Sequence, residues 1–223
     1  MPYKDNIFYI KRDIPKLHIE ASNGVKTFWN YIKLCLESQS FASIVFKDSK
    51  FFEVTGIGGF YTADKHVARL ALNENILNKD SDTIKFHDNE SIAIFIHECS
   101  HFVHLIENEG LCQQTCKYTG KKIGIETTDG RYFTEREAWY LSLRFNHLFK
   151  LNMEDDINSI NRRNLINVGL TYHYIKGEAP WFDENADDNK QIDYEFFKNN
   201  NIDDFDLING HFKLINDVKN EEK

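Results

Sequence analysis

The stretch SIAIFIHECSHFVHLIE, residues 91–107, decides how the rest of the chain is read. Its apolar positions Ile92, Ile94, Phe95, Ile96, Phe102, Val103 and Leu105 fall on nearly every side, as in a helix buried within a core. Residues 87–91, HDNES, place capping and first-turn acidic side chains just ahead of it, which is a helix-start signal. Within the apolar run stand His97, Glu98 and His101 in the pattern H-E-x-x-H. Positions four apart share one helix face, so both imidazoles can reach a single tetrahedral ion. Glu98 lies about 100° around the helix from His97, beside a fourth coordination position and outside the ligand set. From there its carboxylate can take a proton from a zinc-bound water and later pass it to a leaving amine. The same letters could fall by accident in a structural helix. Against that, two histidines and a glutamate buried among Ile and Phe are costly unless something coordinates them.

A catalytic zinc with three protein ligands needs one more donor. A continuation H-x-x-G-x-x-H would require glycine at position 104 and a ligand at 107, but the chain has His104 and Glu107. Without the glycine turn the helix runs on and carries Glu107 away from the ion. The donor is then expected on a later helix, and residues 134–139, TEREAW, open one. Glu135, Ala138 and Ser142 fall within a sector of about 60°, so small residues flank that carboxylate and allow a close helix approach. Glu137 points to another sector and also suits a first-turn acid favouring the helix N-terminus. Glu135 is the expected third ligand, with Glu137 as the alternative.

These residues resemble the ImmA/IrrE-type and related phage-encoded gluzincin-like metallopeptidases. Their pattern is H-E-x-x-H followed on the next helix by E-x-E-A-x-x-[apolar]-[small]. Here His97-Glu98-x-x-His101 is followed by Glu135-x-Glu137-Ala138-x-x-Leu141-Ser142, and the resemblance spans residues 91–150. It implies a zincin-like α+β fold, Zn2+ held by His97, His101 and Glu135, and peptide-bond hydrolysis with Glu98 as catalytic base. A non-catalytic zinc-binding regulatory or interaction protein on the same scaffold is the alternative.

The surrounding sequence is read in the same way. Residues 23–38 carry Val25, Phe28, Trp29, Ile32 and Leu36 at helical spacing, which predicts an amphipathic helix. Residues 42–46, 51–54 and 59–72 are rich in β-branched and aromatic residues broken by turn formers, which predicts a small antiparallel or mixed sheet. The run from Gly58 to Leu72 is a candidate edge strand for pairing with an extended peptide. Residues 109–132 lack a sustained period and read as a connecting loop, with Cys112 and Cys116 too isolated a pair to signal a second metal. Helical spacing returns over 133–151 and 157–175. Tyr132, Tyr172, His173 and Tyr174 are candidates to stabilise an oxyanion, and His104 reads as a core or surface histidine. Beyond Glu178 the chain is acidic and weakly periodic, with Phe196, Phe205, Ile208, Phe212 and Ile215 able to dock on the body. The whole is expected to be one zincin-like domain: a helix plus sheet over 1–88, the active-site helix over 89–108, the loop, and a mainly helical part over 133–223.

Bulk composition narrows the function classes. The 223 residues can bury well over half of their unfolded surface, and 18 Phe with 10 Tyr can fill a large core. A net charge of -8 disfavours phosphate backbones and anionic lipid, so a nucleic-acid or membrane partner is not expected, while the metallopeptidase resemblance implies a protein or peptide substrate. Four cysteines are too few for a disulfide scaffold, and residues 1–13 lack the apolar core of a secretory signal. A cytoplasmic protein with reduced thiols is expected, and the abundance of Lys, Asn and Ile associates with AT-rich bacterial or phage genomes.

Overall fold

The computed structural model describes residues 7–48, 60–64, 67–107 and 128–176. In chain order they form β1 (Ile7–Ile10), β2 (His18–Glu20), α1 (Asn23–Ser38), β3 (Phe41–Lys47), β4 (Phe60–Asp64), β5 (Val67–Asn73), β6 (Leu77–Asn78), β7 (Thr83–Lys85), α2 (Asn89–Glu107), α3 (Thr128–Leu148) and α4 (Glu154–Lys176). This is an α+β architecture.

Two sheets stand where the sequence predicts one. The larger has the order β1-β3-β5-β4, and the smaller β2-β7-β6. Both are mixed: β3 runs parallel to β5 with Ile44 opposite Leu70, whereas β1 on β3 and β4 on β5 are antiparallel. In the smaller sheet β2 is parallel to β7, and β6 antiparallel to it. The run expected to be one edge strand is a hairpin. Its first arm, β4, is an edge of the larger sheet among the described residues, while β5 is paired on both sides. Tyr9 joins the two sheets by donating its hydroxyl to Asp82 Oδ1 at 2.5 Å. Burial first, then that anionic acceptor, raises the Tyr9 phenol above its ordinary value.

Helix α1 forms as its spacing predicts. Ser22 caps it by accepting from the Val25 amide, and Val25, Phe28, Trp29, Ile32 and Leu36 are its buried positions. Trp29 satisfies its indole N–H on the Leu17 carbonyl at 3.2 Å. Phe28 packs against Phe95 of α2 and against Phe145 and Phe149 at the end of α3. Full burial of such a ring contributes about 1.5–3 kcal/mol. Gly24 sits where a side chain could not, since a Cβ there would lie 2.5 Å from the Phe149 carbonyl oxygen and 2.9 Å from that of Lys150.

The last two helices form a tight antiparallel pair. Lys150 and Asn152 take positive φ angles of 52° and 58°, and Asn146 Oδ1 accepts from the Met153 amide at 2.9 Å, so the chain reverses within a few residues. Helix α3 opens at Thr128, earlier than the expected 133, and runs through Gly130, a residue that ordinarily signals a loop. Both α3 and α4 pack on α2, which places the motif helix between them and the sheet strands β4 and β5. Among the described residues no helix is long and apolar enough to cross a membrane. Cys112, Cys116 and the apolar residues proposed to dock beyond Glu178 lie outside the described residues, as do the side chains of Tyr132, Glu137, Tyr172, His173 and Tyr174.

Candidate metal centre

The motif helix begins at a reciprocal cap. Asp88 Oδ1 accepts from the Ser91 amide at 2.7 Å, and the Ser91 hydroxyl lies 3.3 Å from the Asp88 amide, the arrangement of a capping box with serine in the usual Glu position. Three turns on, α2 buries His97, Glu98 and His101, which are 2%, 7% and 4% exposed, among Phe95, Ile96, Cys99 and Phe102. The Cys99 thiol is pushed far up by that burial, so it is a packing group and no thiolate nucleophile. His104 is buried on the same helix and is not one of the residues that come together.

Glu135 is brought to the two histidines by close packing of α3 on α2. Ser100 and Ser142 meet in the seam with their hydroxyl oxygens 3.0 Å apart, and each hydroxyl has two acceptors for its one proton, the other serine and a carbonyl of its own helix, on Ile96 or Ala138. Ala138 and Ser142 are fully buried. A larger side chain at either place would hold the helices apart and withdraw the carboxylate.

The resulting geometry has the dimensions of a coordination polyhedron. His97 Nε2 and His101 Nε2 are 2.9 Å apart, and Glu135 Oε2 lies 3.2 Å from the first and 3.4 Å from the second. Ligand atoms bound at about 2.0–2.1 Å around a tetrahedral ion are separated by about 3.3 Å along each edge. Glu135 Oε2 is buried and makes no hydrogen bond, despite its nearness to both rings. Burial opposes charge on His97, yet the neighbouring Glu135 outweighs it and raises the imidazole pKa. Burial likewise opposes ionisation of Glu135, and the imidazoles of His101 and His97 outweigh it and hold the carboxyl low. A carboxylate facing two imidazoles is thus a place where positive charge is stabilised. His97, His101 and Glu135 form a group able to hold a metal ion.

Glu98 stands apart from that group, as the motif geometry predicts. Its pKa is raised, with burial the main cause, against the opposing pull of His97 and His101. A carboxyl so placed can hold a proton nearer neutrality than an exposed glutamate.

A residue that the sequence reading passed over completes the support of His97. Asn161 of α4, 1% exposed, donates its amide N–H to the Ile157 carbonyl at 2.7 Å, which fixes the orientation of its side chain. Its Oδ1 then accepts from His97 Nδ1 at 2.8 Å. With the proton held on Nδ1, the neutral ring presents a bare lone pair at Nε2, the tautomer that metal binding requires. Asn158 accepts from the Trp139 indole, and Asn164 Nδ2 lies 3.1 Å from His97 Nε2. The signal for all three was the recurrence of Asn at 158, 161 and 164, a polar stripe on a helix whose Ile157, Ile160 and Leu165 enter the core.

Comparison with protein-family models, with curated proteins and with solved structures finds no match for this chain.

Proposed function

We propose that this protein is a zinc-dependent metallopeptidase of the gluzincin-like type on a zincin-like fold, with His97, His101 and Glu135 as ligands and Glu98 as catalytic base. The observation that carries the reading is the triad itself: three donor atoms at tetrahedral edge lengths, with a buried carboxyl on the next residue of the motif helix and outside the ligand set. Two imidazoles and one carboxylate suit zinc, and three protein ligands leave a position open for chemistry. A zinc ion bound there supplies Lewis acidity, polarising a substrate carbonyl and lowering the pKa of water toward neutrality. Glu98 accepts the proton of the attacking water and delivers it to the departing nitrogen as the C–N bond breaks. Asn161 holds His97 in the productive tautomer. Strand β4, an edge of its sheet among the described residues that runs beside α2, offers main-chain groups on which an extended peptide can pair.

The test is zinc content together with hydrolysis. Native mass spectrometry of protein grown with zinc should show about one ion per chain, lost in His97→Ala and in His101→Ala. Glu98→Gln should keep zinc and fold, while cleavage of a denatured-protein mixture falls about 10²- to 10⁴-fold. Zinc binding without any cleavage by wild type, and with Glu98→Gln behaving as wild type in cells, would favour the non-catalytic zinc-binding protein. Absence of bound zinc would overturn both readings.

A further inference from the structure

Asn161 and Asn164 lie three residues apart on α4 and approach the same imidazole from its two nitrogens. The role of Asn161 is fixed by its two hydrogen bonds, whereas the Asn164 amide faces the ligand atom itself, 3.1 Å from His97 Nε2. A lone pair directed at a cation cannot also accept a hydrogen bond, so in the metal-loaded site this N–H needs another acceptor. An oxygen completing the coordination of an ion held by His97, His101 and Glu135 would also stand about 3.3 Å from Nε2, so it and the Asn164 amide would share the space in front of that nitrogen.

We propose that Asn164 donates a hydrogen bond to the oxygen at the fourth coordination position, where it stabilises the charge that develops on the substrate carbonyl oxygen. This inference rests on the metallopeptidase reading and names one of its working groups. An amide suits the task because it stays neutral at every working pH and its nitrogen does not compete for the metal. Neighbouring Leu165 is fully buried and anchors this turn of α4, so the donor is positioned before substrate arrives. Tyr and His are the sequence-based candidates for this function, because Asn164 stands out only through its recurrence with Asn158 and Asn161.

The probe is acetohydroxamate, whose oxygens coordinate an accessible zinc, titrated calorimetrically into zinc-loaded protein. Asn164→Ala should retain one zinc, with an affinity within a few-fold of wild type in a chelator competition, and bind the probe about ten- to a hundred-fold more weakly. Asn164→Asp keeps the size and replaces the donor by an anionic acceptor, so it should lose at least as much probe affinity while its circular dichroism is unchanged. Equal probe affinity in wild type and Asn164→Ala would overturn the assignment and leave the zinc site standing. Tighter probe binding combined with weaker zinc binding in Asn164→Ala would overturn it too, because the amide oxygen would then be closing the fourth position. Zinc-free wild type would overturn this inference together with the reading on which it rests.

Discussion

The hydroxyl oxygens of Ser100 on α2 and Ser142 on α3 lie 3.0 Å apart. That contact sets the separation of two helix backbones, and the separation in turn sets whether a glutamate two turns from Ser142 reaches two histidines. Ser142→Leu should overpack this seam, at a cost of about 1–3 kcal/mol. It should also weaken metal binding out of proportion to the loss of stability, whereas Ser142→Ala should leave the metal affinity nearly unchanged. Thermal unfolding and chelator competition on the two variants separate these effects.

Glu135 and Glu137 make a paired test. Glu135→Ala removes the carboxylate that lies 3.2 and 3.4 Å from the two imidazoles, and zinc stoichiometry should fall well below one per chain. Glu137→Ala should leave it near one. Metal analysis on both variants decides the matter, and the reverse pattern would transfer the ligand role to Glu137.

Asn161 acts through His97 and so predicts a graded effect. Asn161→Leu leaves the His97 Nδ1 proton without its acceptor and should lower metal affinity about 10- to 100-fold, the range for a lost outer-shell partner. Asn161→Asp retains an acceptor and should recover most of that affinity. Equal affinity in Asn161→Leu and wild type, measured by chelator competition, would remove Asn161 from the account.

Asp88 governs the start of the motif helix and gives a pH signature. The backbone N–H of Ser91 first, then its hydroxyl, pulls the Asp88 carboxyl below its ordinary value. A depressed folded-state pKa contributes stability above the unfolded value, and that contribution disappears as pH falls through the folded value. Asp88→Ala should therefore be about 1 kcal/mol less stable than wild type at neutral pH. The difference should shrink as pH drops below about 4. Urea denaturation of both proteins at neutral and acid pH measures it.

What could be read from sequence follows from how local each signal is. Val25, Phe28, Trp29, Ile32 and Leu36 announce α1 because helical burial is periodic within the segment itself, and Asp88 with Ser91 marks the start of α2 for the same reason. Glu135 was accessible because the small residues that admit it, Ala138 and Ser142, lie on its own helix. Strand β1 was not, since Tyr9 is its one buried position and its hydrogen-bond partners lie on β3, more than thirty residues away. The strands β2 and β7 are three residues each and owe their existence to one another. Asn161 and Asn164 are weakly marked, because asparagine in a helix is ordinarily a surface residue and their recurrence with Asn158 does not say which group the stripe faces.

The fit of Gly24 beneath the carbonyls of Phe149 and Lys150 bears on how the molecule assembles. It joins the start of the first helix to the turn between the last two, so contacts of very high sequence separation close the structure. Closing so long a loop costs somewhat more chain entropy than docking neighbouring helices. The antiparallel pair α3 and α4 is joined by a short turn, and the start of α1 seats against that turn. Without α1 in its seat the aromatic cluster around Phe28 would be incomplete, and Phe95 of α2 would lose two of its ring partners, Phe28 and Trp29. The histidine-bearing helix thus packs on a helix whose own seat is the turn at Phe149 and Lys150, and a side chain at position 24 would act on the metal centre without coming near it.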